Sequence, residues 1–90
     1  MAWTLKLSKH AIKALNKIDR KAREKIFETL DEIEKLSNPY SRGKALVGNL
    51  KGYWRYRSGD YCIICEIDGD VLLVLIVDVG HRREIYRRTN

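Results

Sequence analysis

The sequence predicts an α+β domain in which a helical hairpin packs on one face of a small, mostly antiparallel β-sheet. Three patterns support this fold: an alternating segment near the N-terminus, two consecutive segments of helical period, and three strand-like segments separated by turn sequences. The predicted element order is β-α-α-β-β-β. A chain of 90 residues has room for one modest core, so residues 1–90 are assigned to a single domain.

The N-terminal half supplies one strand and both helices. Residues 2–7 alternate apolar and polar side chains, as a half-buried strand does. Ser8 is a suitable N-cap for a helix over residues 9–18. Asp19 can cap a longer helix that ends near Leu36. Apolar residues recur in both segments at three- and four-residue steps, so each helix is expected to bury one face.

The C-terminal half supplies the other three strands, over residues 53–57, 61–67 and 71–77. These segments are rich in aromatic or β-branched residues, and Gly-Asp pairs mark the turns between them. The last strand is apolar on both faces, which predicts a position inside the sheet with the helices covering one side. Residues 40–50 show no clean period and are predicted to form a loop.

A two-residue turn at Gly59-Asp60 would fix how the second and third strands pair. Arg57 then lies opposite Cys62. By the same register, Arg55 lies opposite Ile64. Opposed residues share a face, so these four side chains are expected on the face away from the helices, which would be open, concave and basic. The residues expected to face the helices are Trp54, Tyr56, Ile63 and Cys65.

The charge distribution favours a polyanionic partner such as nucleic acid or an acidic protein. The net charge is +6 and the pI is near 9.5. Between Lys35 and Gly59 the chain carries six basic residues and no acidic one. Ordinary solvated surface is the alternative explanation for such a run. The candidates for binding such a partner are Arg42, Lys44, Lys51, Arg83 and Arg87.

Several classes of function are not expected from this sequence. Cys62 and Cys65 lie three apart in a strand-like run and point to opposite faces, so a shared metal site is rejected. Both are expected to be reduced thiols of a cytoplasmic protein. The apolar run over residues 71–77 has seven residues, whereas a membrane span needs about 20. No signal peptide is visible, and no metal, cofactor or membrane partner is predicted.

The candidate catalytic residues are Arg55, Arg57, His81, Arg82 and Tyr86. Guanidinium groups bind phosphate in a bidentate manner and stay charged at any working pH. A helical turn after the last strand would place Arg82 and Tyr86 on one side, where nearby cations favour the phenolate that can accept a ribose 2′-OH proton. This chemistry suits metal-independent RNA cleavage. Alternatively, Tyr86 is an aromatic plug and His81 a backbone-bonded structural residue.

Two motifs and the element order resemble the RelE/ParE superfamily of bacterial and archaeal toxin–antitoxin toxins. The first motif spans residues 46–61 and includes Tyr-Trp-Arg-Tyr-Arg at 53–57. The second, Val-Gly-His-Arg-Arg-Glu-Ile-Tyr, spans residues 79–86. The resemblance covers nearly the whole chain. It implies a toxin neutralised by a cognate antitoxin, RelB-like, with an acidic or amphipathic wrapping segment.

The RelE branch of the superfamily implies a ribosome-dependent endoribonuclease, an mRNA interferase, that stops translation. On this resemblance Arg82 stabilises the transition-state phosphate and Tyr86 is the general base, while Arg55 and Arg57 clamp the phosphate. RelE-like toxins usually carry an arginine at the place of Cys62, so an arginine introduced there is expected to preserve or raise activity. Two alternatives stay open: a ParE-like gyrase inhibitor without nuclease chemistry, and a catalytically weak toxin-fold protein acting in antitoxin-dependent repression.

Overall fold

The computed structural model describes residues 3–89, with side-chain detail as far as Arg87. The helices are α1 (Lys9–Asn16), α2 (Arg20–Glu34) and α3 (Arg82–Thr89), and the strands are β1 (Thr4–Leu7), β2 (Lys44–Ala45), β3 (Trp54–Ser58), β4 (Tyr61–Asp68) and β5 (Leu73–His81). One sheet has the order β1-β5-β4-β3-β2, and all its pairs are antiparallel except β1–β5. The predicted α+β fold is confirmed.

The predicted caps start both helices of the hairpin. Ser8 Oγ accepts the backbone N–H of Ala11 at 3.0 Å, and Asp19 Oδ2 accepts that of Ala22 at 3.2 Å. Each helix ends two residues before the predicted point. The backbone N–H groups that follow it bond to the carbonyl oxygen three residues earlier, as in a 3₁₀ helix, and not to the one four residues earlier. The first predicted strand also included Ala2, which lies outside the described residues.

The segment between the hairpin and β3 is more ordered than the predicted loop. Short 3₁₀ turns at Pro39–Ser41 and Gly48–Leu50 flank β2, which pairs with the edge of β3. A strand of two residues is too short to show an alternation of apolar and polar side chains. It is recognised only by its pairing with β3. β5 starts at Leu73, two residues later than predicted, because the turn before it includes Leu72 with φ +52°.

β3 and β4 pair in the predicted register, with Arg57 opposite Cys62 and Arg55 opposite Ile64. The two cysteines consequently lie in different cores. Cys65 is buried with Tyr56, Ile63 and the apolar stripes of the hairpin, whereas Cys62 is buried on the other face of the sheet.

α3 covers the centre of that second face. Ile85 is 1% exposed and packs with Cys62 and Ile64. Leaving such apolar side chains in water would cost stability, and a C-terminal helix removes them from solvent. The second face is therefore open along β2 and β3 but not over Cys62, where the sequence had suggested an open surface.

Candidate functional site

The charges of three arginines act on the thiol of Cys62. Arg55 and Arg57 project from β3, and Arg82 begins α3. Burial raises the pKa of the Cys62 thiol, while the charges of Arg55, Arg57 and Arg82 counteract that increase. The structure thus brings together three of the predicted catalytic arginines from two elements that are distant in sequence.

Tyr86 completes this group from the second turn of α3. The Nη1 group of Arg55 donates to the Tyr86 hydroxyl at 3.3 Å, and the guanidinium carbon lies 6.0 Å from the ring centroid. Arg55 Nε is buried and has no acceptor within the described chain. Burial of Ile85 anchors the turn that carries Tyr86.

A basic cavity of 240 Å³ lies on one side of Arg55. Its lining residues are Arg42, Gly43, Lys44, Arg55 and Arg57. Gly43 has φ +84°, and a Cβ there would lie 2.6 Å from Trp54 Nε1, so this close approach to β3 requires glycine. Arg42 also pairs with Glu32 at 2.6 Å, which offsets part of its charge.

An apolar cavity of 280 Å³ lies on the other side of Arg55. Its lining residues are Lys44, Ala45, Leu46, Val47, Arg55, Ile85 and Tyr86. The two cavities share Lys44 and Arg55. Sequence analysis did not identify Ala45–Val47 as site residues, because the segment has no period and carries no chemically reactive side chain.

His81 lies on the opposite side of the sheet from this group. It pairs with Tyr61, whose ring is 5.7 Å away and packs against the hairpin core. Its Nδ1 accepts the backbone N–H of Arg83 at 3.2 Å, which matches the alternative of a backbone-bonded histidine. The change of register beside Cys65 rotates the end of β5, a shift that sequence alone does not reveal.

The remaining candidates for RNA or ribosome binding lie outside both cavities. Lys51 is exposed in the turn before β3, and Arg83 and Arg87 are exposed on α3. In the described part of the chain, no group of His, Cys, Asp and Glu side chains is placed to hold a metal ion. None of the three described helices has the length and apolarity of a membrane span.

A helical hairpin on this sheet, with an arginine- and tyrosine-bearing helix after the last strand, is the arrangement of a toxin from a type II toxin–antitoxin pair. A family model described as the ParE toxin of the type II toxin–antitoxin system, parDE, matches residues 5–86. The chain belongs to this family, within the RelE/ParE superfamily that its motifs resemble.

Solved structures agree with this fold. A chain of the RelBE2 toxin–antitoxin complex from Mycobacterium tuberculosis is 25% identical with a TM-score of 0.80, over 91% of this chain and 100% of that one. A chain of the archaeal RelE–RelB complex from Pyrococcus horikoshii is 23% identical with a TM-score of 0.70, over 91% of this chain and 97% of that one. The YoeB/ParE toxin from Agrobacterium tumefaciens is 16% identical with a TM-score of 0.67, over 87% of this chain and 96% of that one. No curated protein sequence matches the chain.

Proposed function

We propose that this toxin is an mRNA interferase, a metal-independent endoribonuclease that cuts messenger RNA on the ribosome and so inhibits translation. The observation that carries the proposal is the contact between the Tyr86 hydroxyl and the Arg55 guanidinium, at 3.3 Å, beside the basic cavity. A proton acceptor next to a phosphate-binding guanidinium is the minimum equipment for transesterification of RNA.

In the proposed reaction Tyr86, as phenolate, removes the proton from a ribose 2′-OH. The 2′ oxygen then attacks the adjacent phosphorus, and the bond to the 5′ oxygen breaks. The products are a 2′,3′-cyclic phosphate and a 5′-hydroxyl end, with water supplying the proton of the leaving oxygen. Arg82 stabilises the charge that grows on the phosphoryl oxygens, and Arg55 and Arg57 hold the phosphate in place.

The ribosome, its messenger RNA and a cognate antitoxin are the proposed partners. A net charge of +6 favours association with ribosomal and messenger RNA, with Arg42, Lys44, Lys51, Arg83 and Arg87 as contacts. The same charge favours a RelB-like antitoxin with an acidic or amphipathic segment that wraps the toxin. The similar structures from Mycobacterium tuberculosis and Pyrococcus horikoshii are both toxin–antitoxin complexes, which supports this class of partner.

Gyrase inhibition without nuclease chemistry is the second candidate function. The matching family model is that of ParE toxins. In addition, Cys62 stands where RelE-like toxins usually have an arginine, and its side chain is buried beneath Ile85. Loss of one preorganised cation weakens transition-state stabilisation. A catalytically weak toxin that acts in antitoxin-dependent repression follows from the same observation.

Induced expression without antitoxin distinguishes these functions. We expect growth to stop and primer extension to reveal cuts inside translated codons. An Arg82→Ala variant expressed to the same level should leave messages intact, since Arg82 is exposed and its loss should not unfold the chain. Intact messages together with trapped DNA breaks in the parent would establish gyrase inhibition instead. Intact messages, intact DNA and normal growth would favour the repression role.

A further inference from the structure

The two cavities that meet at Arg55 differ in chemistry. The basic cavity contains four cationic side chains and a glycine. In the apolar cavity, the part beyond Lys44 and Arg55 is formed by Ala45, Leu46, Val47 and two α3 residues. Neither lining contains a carboxylate. A cationic compartment therefore adjoins an uncharged one of similar size, 240 Å³ against 280 Å³.

A nucleotide has the matching composition, since an anionic phosphate is joined through ribose to a flat and weakly polar base. We propose that the apolar cavity is a nucleobase subsite, occupied by the base of a nucleotide whose phosphate lies in the basic cavity. This inference rests on the proposed function and extends it, because it identifies which part of the RNA contacts the protein beyond the phosphate.

Two exposed side chains support a base as the occupant. Val47 is 78% exposed and Tyr86 is 45% exposed, although both residues line the cavity. A base covering them would remove apolar surface from water and place its ring against an aromatic side chain. Lys44 and Arg55, which line both cavities, provide donors for acceptor atoms on the base edge. An apolar side chain of a protein partner would leave those donors unused.

Binding of small nucleotides tests the subsite without any cleavage. Nucleoside 5′-monophosphates and base-free ribose 5-phosphate, which carry the phosphate on the same carbon, would be titrated into the full chain and followed by amide NMR signals. We expect signals of residues 45–47 to move only with the nucleotides. The nucleotides should also bind at least about fivefold more tightly than ribose phosphate, the lower end of what stacking one base contributes.

Val47→Asn is the informative variant, and Val71→Asn is its matched control. Val71 is 64% exposed and lies in the turn between β4 and β5, away from both cavities. Val47→Asn should abolish the preference for nucleotides over ribose phosphate and leave ribose phosphate binding intact, while Val71→Asn should change neither. Equal binding of nucleotides and ribose phosphate by the parent, or unmoved signals at residues 45–47, would overturn the subsite.

The base sequences at the positions where messages are cut distinguish a wrong subsite from a wrong nuclease assignment. If the parent cuts messages, Val47→Asn should alter the base frequencies at the cut positions relative to Val71→Asn. Unchanged frequencies together with unchanged nucleotide binding would eliminate the subsite and leave the nuclease assignment in place. A parent that binds nucleotides with base dependence but cuts no message would support the subsite and refute the nuclease.

Discussion

Two tyrosines in this chain have opposite environments. Tyr56 is fully buried, and its hydroxyl donates to the Pro39 carbonyl oxygen at 2.6 Å. Burial raises the Tyr56 pKa, so this side chain stays protonated and serves the core. Tyr86 instead is an exposed residue whose ring centroid lies 6.0 Å from the guanidinium carbon of Arg55. Tyr56 is a structural residue because it lies inside the core. Tyr86, the proposed base, lies outside the core because α3 holds it there.

Tyr86→Phe removes the hydroxyl and keeps the ring. Cleavage should fall by about 10²- to 10⁴-fold, the usual contribution of general base catalysis. Tyr40→Phe is the matched control, because Tyr40 is 48% exposed against 45% for Tyr86 and lies outside both cavities. The rate of message cleavage after induction would be compared at equal protein levels. A Tyr86→Phe toxin as active as Tyr40→Phe would exclude Tyr86 as the base.

The positions of the β3 arginines were predictable because they depend on local rules. A two-residue turn and side-chain alternation are sufficient to place Arg57 opposite Cys62 and Arg55 opposite Ile64, as the structure confirms. The orientation of His81 depends on a register shift between β4 and β5, and the burial of Cys62 depends on where α3 packs. Both are tertiary effects, which no pattern within a single segment encodes.

Among the described side chains of α3, Ile85 is the buried one, and it packs against the sheet. Ile85 fills the space over Cys62 and Ile64, and a Cβ at Gly80 would already lie 3.3 Å from Ile85. The small thiol and the glycine therefore leave the room that Ile85 occupies. This packing adds a cost in stability to the expected effect of arginine at position 62 on activity, because the introduced charge would enter an apolar cluster.

Cys62→Arg should destabilise the fold by roughly 3 kcal/mol or more, because an unpaired ion in an apolar interior is costly. Ile85→Ala alone should cost about 2–5 kcal/mol through lost burial. The double variant should be more stable than the sum of these effects predicts, since the space opened by Ile85→Ala gives the guanidinium a route to water. Urea unfolding of all four proteins forms a double-mutant cycle. Additive changes would mean that the two positions do not interact.

At the scale of the whole molecule, one sheet separates two cores of unequal size. The larger core joins the hairpin to the sheet and includes Cys65, whereas the smaller one lies under α3 and includes Cys62. The larger core was predictable from helical and strand periodicity. The smaller one was not, because α3 carries a single buried apolar residue, Ile85, in a strongly polar stretch. The proposed site lies along the smaller core.

The two buried thiols make the stability of the molecule depend on alkaline pH. Burial raises the pKa of Cys65 without opposition, and at Cys62 three guanidinium groups counteract part of the increase. A thiol whose pKa is higher in the folded state stabilises the fold fully below its unfolded pKa, about 8.5, and loses this contribution as the pH rises. For each thiol that is ionised in the unfolded chain and protonated in the folded one, the free energy of unfolding falls by about 1.4 kcal/mol per pH unit.

We therefore expect the free energy of unfolding, measured in urea, to decline steadily as the pH is raised above that of the unfolded thiols. Cys65→Ala should be less stable than the parent at neutral pH, because it leaves a small cavity, but its stability should decline less steeply with pH. Cys62→Ala should flatten the curve to a smaller extent, since the charges of three arginines counteract the effect of burial on the pKa of that thiol. Parallel curves for the parent and Cys65→Ala would show that the thiol of the larger core ionises as readily in the folded chain as in the unfolded one.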